Sequence, residues 1–432
     1  MQGNALRLDW NTLLPGGQCD YVMGNPPFIG HVTKTAGQTD DLKTVWGRQY
    51  DGYLDYATGW YRKAASYLSK PDAAFAFVTT NSITQGQPYT TLFRSSRMFA
   101  WDAQSTDNAH VHVIIIGLGR KAKPAPVLFE YADINGEPTA RTVDNINGYL
   151  IDAPDLYVGK RSQKTGPVSP LLDVTDSGSM PLDGGNLLLA DQEEYAKAMA
   201  DPIAARFVRP FRMGRELING TDRWCLWLRD AEPGELRKSS FLKKRVDACA
   251  EYRRNAPMKG DAYRHRATPW LFRDDHQPSM NYLAIPKVFS EDREYMTCDW
   301  YTPDIIAGDM VYTSPDRDGL AFAVIESRMF MTWQQTIGGR LESRCRFSNT
   351  VIWNNLPLPA LDDDTRMALI EAGRNVPASP WQTCTIPTTC RPTYAPPTGN
   401  WTRLRTWRSA RIDGWGTMTT RASRSCSIRT RA

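Results

Sequence analysis

Apolar positions over the first 150 residues fall into short continuous runs separated by stretches with helical spacing. Tyr21-Val22-Met23, ended by Gly24, has the pattern of a short buried strand. Tyr56, Trp60, Ala64 and Leu68 recur every four residues, which predicts a helix over Asp55–Leu68. Ala73–Val78 reads as a strand closed by the polar turn Thr79-Thr80-Asn81-Ser82, and Val111–Ile116 as the clearest strand of the chain. Strand and helix in alternation predict a parallel α/β sheet. Lys121–Pro126 has the composition of a surface connection. Residues 155–360 are of mixed α+β character and rich in arginine and tryptophan, and Asp362–Val376, with Met367, Leu369, Ile370 and Ala372, predicts a helix. The expected organisation is therefore 1–150, 155–360, a helix in 361–376, and a tail of 377–432 in which no apolar period survives.

Composition narrows the class. Of 432 residues, 41% are hydrophobic and 23% charged, which excludes a disordered or fibrous chain. The longest apolar run, Val111–Leu118, is far too short to span a bilayer, so no membrane partner is expected. The first residues carry no secretory signal, and Cys19, Cys225, Cys249, Cys298, Cys345, Cys384, Cys390 and Cys426 form no CxxC pair. A reducing, cytoplasmic setting without structural zinc is the expectation. The formal net charge of +5 is misleading as a sign of nucleic-acid binding. Residues 377–432 hold nine arginines, no lysine and one acid, whereas residues 1–376 hold 43 basic and 46 acidic groups. Arginine without lysine, with abundant Thr, Pro and Trp, fits a tail translated out of frame better than an evolved disordered arm. Local charge is another matter: Arg237–Arg266 carries ten basic and three acidic groups, and is either a DNA-backbone contact or a solvated helix face.

The sharpest chemical feature is Asn25-Pro26-Pro27-Phe28, directly after the first strand. Its plainest reading is a rigid turn, because two prolines fix φ and cannot continue a ladder. Its functional reading has a mechanism. The lone pair of an exocyclic base amine is delocalised into the ring. A site that accepts hydrogen bonds from both amine hydrogens localises that pair and aims it at an electrophilic methyl group. Asn25 supplies one acceptor through its side-chain oxygen, Pro26 the other through its carbonyl, and Phe28 a face for an unstacked base. Reaching such an amine in duplex DNA requires flipping the nucleotide out. The loop also follows a strand's carboxyl end, where open α/β sheets bind ligands.

Around this motif stand Gly3–Trp10, Asp20–Gly30, Leu54-Asp55-Tyr56, Phe77–Gly86 and His110–Gly117. Farther along come Glu216–Gly220, Arg223–Leu228, Gly338–Arg344 and Asn354–Pro357. On these residues the chain resembles the amino-methyltransferases that use S-adenosylmethionine. It is most similar to the MmeI family of single-chain restriction–modification enzymes (type IIL) and their adenine-specific DNA methyltransferase relatives, over residues 1 to about 376. The resemblance implies a partial class I methyltransferase (Rossmann-like) α/β sheet followed by an α+β target-recognition domain. It implies adenine-N6 methylation of flipped adenine in double-stranded DNA, with S-adenosylmethionine as donor. Carried over by position, Asn25, Pro26, Pro27 and Phe28 form the amine-binding loop, and Asp9 and Asp55 flank the donor. Arg340, Glu342, Arg344 and Arg346 fall in the recognition domain. There an arginine grips guanine and a glutamate accepts from cytosine; the alternative is a surface salt bridge.

The departures are as informative. No glycine-rich loop that follows a strand and opens a helix occurs in the first 50 residues, and a nuclease domain is absent from the pattern. The expectation is the C-terminal part of a split or truncated gene, whose donor site an upstream polypeptide supplies. Two other readings follow: a non-catalytic DNA-binding specificity subunit or remnant, and a methyltransferase acting on cytosine N4, RNA or protein glutamine. His110 and His112 share a strand face but lack a third ligand, and the adjacent Asp274, Asp275 and His276 point in different directions as a loop would place them, so no metal is expected. No Pro-Cys dipeptide supports a covalent C5-cytosine mechanism.

Overall fold

A computed structural model describes residues 2–84, 99–106, 113–119, 125–130, 137–290, 293, 295–341 and 344–374. They form two compact units, one of residues 2–162 and 332–359, the other of 163–331 and 360–374. His110, His112, Glu342 and the tail lie outside the described residues.

The first unit is built on a four-stranded sheet of β1 (Tyr21–Gly24), β2 (Ala74–Thr80), β3 (Phe99–Thr106) and β4 (Val113–Gly119), in the order β1-β2-β4-β3. Between β1 and β2 run α1 (Ala36–Trp46) and α2 (Thr58–Tyr67), a crossover long enough for parallel pairing. Val22 stands opposite Phe75 and Gly24 opposite Phe77. β4 is antiparallel to both β2 and β3. The sheet is thus mixed, where the alternating pattern predicted an all-parallel one. The reason is connection length: six residues separate β3 from β4, too few for a parallel crossover but enough for a hairpin. A second pair, β5 (Val127–Glu130) and β6 (Thr139–Thr142), is antiparallel.

Tyr61 organises the core of this unit. Its ring meets Phe77 edge-on at 5.2 Å, and its buried hydroxyl donates to the Phe77 carbonyl at 2.9 Å. Leu6, Leu42, Trp46, Leu54, Ala64 and Leu68 complete the packing. α1 escapes the periodicity analysis, since only Asp41, Leu42 and Trp46 are buried on it. It begins at a capping box, in which Thr35 and Gln38 satisfy each other's backbone amides. Before β1, the chain passes so close to the end of α2 that a Cβ on Gly16 would lie 2.0 Å from the Tyr67 carbonyl oxygen. Only glycine fits that approach.

β1 is the edge of the sheet and, among the described residues, pairs with β2 alone. Its outer residues are uncovered: Tyr21 is 61% and Met23 79% exposed. A buried central strand would hide both.

The second unit carries β7 (Asp176–Ser177), β8 (Leu188–Leu189), α3 (Gln192–Ala200), β9 (Val208–Arg212), α4 (Gly214–Asn219) and β10 (Trp224–Leu226). There follow α5 (Pro233–Lys238), α6 (Ser240–Asn255), α7 (Asp261–Arg264), β11 (Tyr282–Pro286), β12 (Val288–Phe289), β13 (Asp299–Tyr301), β14 (Ile306–Ala307), β15 (Val311–Ser314) and α8 (Leu320–Ile325). Two sheets result, β14-β9-β10-β8 and β13-β11-β15-β7. Phe207, Phe211, Leu226, Leu242 and Phe272 fill a core under the first. α9 (Arg328–Ile337) leads back to the first unit, where β16 (Gly339–Leu341) and β17 (Arg344–Arg346) form a hairpin. A wide turn at Asn349–Trp353 then fixes the end of the first segment: Arg161 N–H donates to the Thr350 carbonyl at 2.9 Å, and Asn355 Nδ2 to the Gly159 carbonyl at 3.0 Å. α10 (Asp363–Arg374) closes the second unit, with Arg366 on Asp318. A partial α/β sheet followed by an α+β region is the architecture expected, although residues 332–359 pack with the first unit.

Candidate active site

The Asn25–Phe28 loop leaves the carboxyl end of β1, where Gly24 faces Phe77 in the middle of β2. Pro26 is buried, while Asn25, Pro27 and Phe28 are exposed. The buried ring pins the backbone, so the Asn25 amide oxygen and the Pro26 carbonyl are presented on a rigid segment. Phe28 leaves 40% of its surface open. Two hydrogen bonds stitch the following residues to the start of α2: Tyr56 N–H donates to the Ile29 carbonyl at 2.9 Å, and His31 N–H to Asp55 Oδ1 at 3.1 Å. Polar acceptors on a fixed loop beside an open aromatic face are suited to hold a planar ring bearing an amine.

Asp55 is buried, its carboxylate occupied in bracing this loop. Asp9 is exposed and caps the turn Trp10–Thr12, accepting from Asn11 N–H and Nδ2 at 3.0 Å. Those contacts hold its carboxyl below the usual range. Both carboxylates assigned to the donor are therefore committed to backbone structure, and they do not by themselves make a donor cradle.

A polar cluster around the buried Asp41 ties the N-terminal segment to the site. Asp41 accepts from Tyr56 Oη at 2.6 Å and Asn4 Nδ2 at 2.8 Å, and pairs with Arg7. Burial alone would raise the Asp41 pKa; the hydrogen bonds from Tyr56, Arg7 and Asn4 outweigh it and hold the carboxyl below its ordinary value. Burial and the bond to Asp41 push the Tyr56 hydroxyl up to about 12. A group with a depressed folded pKa stabilises the fold above its unfolded value, near 3.9, and loses that contribution as pH falls through the folded value. Asp41→Asn is expected to cost about 1–3 kcal/mol at neutral pH, the range for a hydrogen-bonded buried charge. It should also flatten the stability loss below about pH 4. Hydrogen-exchange protection of the α1 and α2 amides in both proteins across that range checks this; parallel pH profiles would detach Asp41 from the linkage.

His31 lies against Tyr53, with ring centroids 5.4 Å apart. Burial lowers its pKa, Asp55 opposes the shift, and the positive charges of Lys34 and Arg346 add to it. Arg346 therefore bears on the loop region from β17. Along that strand Arg344 and Arg346 are exposed while Cys345 is buried, so the two arginines share one open face. Arg340 stands opposite Cys345 on β16.

The basic stretch 237–266 is less available than its composition suggests. Arg253 is fully buried, Arg245 pairs with Glu194, Lys243 with Asp247 and Arg264 with Asp261. Asp274, Asp275 and His276 diverge, toward Arg273, Arg229 and the Ser177 carbonyl respectively. Among the described residues no group of three or more His, Cys, Asp or Glu side chains is placed to hold a metal ion, and no helix is long and apolar enough to cross a membrane.

Sequence comparison gives two family matches, described as MmeI, DNA-methyltransferase domain, over residues 1–130, and MmeI, target recognition domain, over residues 152–360. DNA methyltransferase A of Bacillus subtilis (strain 168) is 31% identical over 384 residues, covering 85% of this chain and 42% of that protein. The solved type IIL restriction-modification enzyme MmeI in complex with DNA is 35% identical with a TM-score of 0.80, covering 87% of this chain and 51% of that one. The chain thus spans about half the length of these relatives.

Proposed function

The chain belongs to an MmeI-like family, and from that premise we propose that it is the target-amine and target-recognition portion of a restriction–modification DNA methyltransferase. The supporting observation is the Asn25–Phe28 loop, with its buried Pro26, exposed Asn25 and open Phe28 at the carboxyl end of β1. The substrate in this reading is adenine flipped from double-stranded DNA and methylated at N6. Asn25 and the Pro26 carbonyl accept the two amine hydrogens, turning the nitrogen lone pair away from the ring, and Phe28 stacks on the base. S-adenosylmethionine supplies the electrophilic methyl group. Because Asp9 and Asp55 are already committed, the donor cradle is assigned to a polypeptide that adds strands along the exposed edge of β1. Arg340, Glu342, Arg344 and Arg346 are the assigned base readers.

The test is a transfer assay with labelled S-adenosylmethionine and unmethylated duplex DNA. It compares the full chain alone with the chain co-expressed with an upstream polypeptide bearing a glycine-rich donor loop. Expected is N6-methyladenine in the second case alone, identified by mass spectrometry of the nucleosides. N4-methylcytosine would correct the base, and methylated RNA or glutamine the substrate. Sequence-specific DNA binding with no methylation in either case would favour the specificity-subunit reading.

A further inference from the structure

Next to the loop stands a set of charges that neither the motif nor the recognition residues absorb. Lys34 and Lys43 hold their ammonium groups 5.7 and 5.9 Å from the Tyr50 ring, and Lys160 holds its own 5.8 Å from the Tyr53 ring. His31 packs on Tyr53. This surface is fixed to the loop: His31 is three residues past Phe28, and Lys34 Nζ donates to the carbonyls of Gly52 and Leu54, beside Asp55. Lys160 is held by the bonds that tie Gly159 and Arg161 to the Asn349–Trp353 turn.

Structural lysines are usually neutralised by carboxylates, but here Lys43 and Lys160 are exposed and form no ion pair among the described residues. The nearby acids bear on Lys34 and are held in place: Asp51 accepts from Tyr53 N–H at 3.0 Å, and the buried Asp55 accepts from His31 N–H, which leaves Lys43 and Lys160 as the uncompensated charges. Cations resting on aromatic faces keep their charge available while the rings limit their freedom. Such a surface matches a polyanionic backbone with sugars that pack on rings.

We propose that Lys34, Lys43 and Lys160, seated on Tyr50 and Tyr53, form a ledge that grips the DNA phosphodiester backbone flanking the nucleotide held at Asn25–Phe28. The assignment rests on the DNA methyltransferase reading and adds a contact outside the base readers. Phosphate contacts fix register without reading sequence, so the ledge acts equally on any duplex.

The experiment is fluorescence-anisotropy titration of the full chain with labelled target and scrambled duplexes, between about 50 and 200 mM salt. Lys43→Ala/Lys160→Ala is expected to weaken both duplexes equally, by roughly 10- to 50-fold at about 0.1 M salt, and to lower the log–log salt slope by about 2. The control is Lys70→Ala/Lys197→Ala, whose ammonium groups are paired with Asp20 and Glu193. It should leave the slope unchanged. A wild-type slope in the Lys43/Lys160 variant, or an equal drop in the control, overturns the ledge and leaves the methyltransferase reading standing. Failure of the unaltered chain to bind any duplex overturns both.

Discussion

Asn25→Ala is expected to lower methyl transfer by about 10²–10³-fold, the loss typical of removing one preorganised hydrogen-bonding group at a reacting centre. The side chain is exposed at the end of β1, so folding should be unaffected within about 0.5 kcal/mol. The two effects separate because the fold depends on Pro26, buried in the same loop, and on Tyr61, which packs on Phe77 opposite Gly24. The assay uses the chain together with whatever polypeptide completes donor binding, with DNA affinity measured in parallel. An acceptor that acts on the amine in the transition state lowers kcat and kcat/KM together and leaves DNA affinity nearly intact. Phe28→Ala should show the opposite balance, weakening the bound base by about 1–3 kcal/mol through lost stacking. If Asn25→Ala loses DNA affinity and keeps kcat, Asn25 is a backbone contact and the amine assignment falls.

That loop was legible because its chemistry is local: four consecutive residues, a strand before them and two fixed φ angles. The surface around it was not. Lys34, Lys43, Tyr50, Tyr53 and Lys160 come together only through the crossover and the turn at Asn349–Trp353. Interleaved basic and aromatic residues between Lys43 and Tyr53 were the signal available. The apolar runs inside Ala74–Thr80 and Val113–Gly119 announced those strands, and the helix Asp363–Arg374 was as plain, but the first strand runs on through Thr79 and Thr80, whose polarity read as a turn. α1 did not, because three buried positions in eleven residues leave no stripe; its capping box was the better evidence. The second unit's strands run two to five residues, too short for a period of two to rise above noise. Topology was also hidden in plain arithmetic: the gap between β3 and β4 excluded the parallel sheet that the alternation suggested.

Charge shows the same divide between composition and position, and it leads to the largest expected loss of stability. Arg253→Met should destabilise the second unit by about 3–5 kcal/mol, the cost of leaving buried carbonyls without a donor at about 1–3 kcal/mol each. Arg253 lies in α6, inside the stretch whose basic excess suggested DNA contact, yet it is wholly buried. All five of its donors go to main-chain oxygens: Nε to Leu182 at 3.1 Å, Nη1 to His265 at 3.1 Å and Thr268 at 2.8 Å, Nη2 to Pro181 at 2.9 Å and Leu271 at 2.8 Å. A guanidinium cannot shed its charge, so these carbonyl dipoles replace its lost hydration. In return it satisfies oxygens from two segments far apart in sequence, neither of which forms a ladder there. Methionine fills much of the volume but takes the donor from the Leu182 and Leu271 carbonyls, while those of Pro181, His265 and Thr268 keep a main-chain N–H (of Arg273, Thr268 and Leu271) and lose only the charged one; lysine can reach at most three. Arg253→Lys should therefore fall between wild type and Arg253→Met. His265, Thr268 and Leu271 also line a cavity of about 300 Å³ beside Trp227 and Phe272, so its wall should loosen with them. Hydrogen exchange is the appropriate measure, because it resolves one unit of a two-unit chain where a single unfolding midpoint does not. Amides of 265–271 and α6 should exchange at least 100-fold faster, which corresponds to about 3 kcal/mol at 1.4 kcal/mol per decade, while those of α2 and β2 stay protected. Unchanged protection in 265–271 would mean that the segment stands without Arg253 and that its burial is incidental.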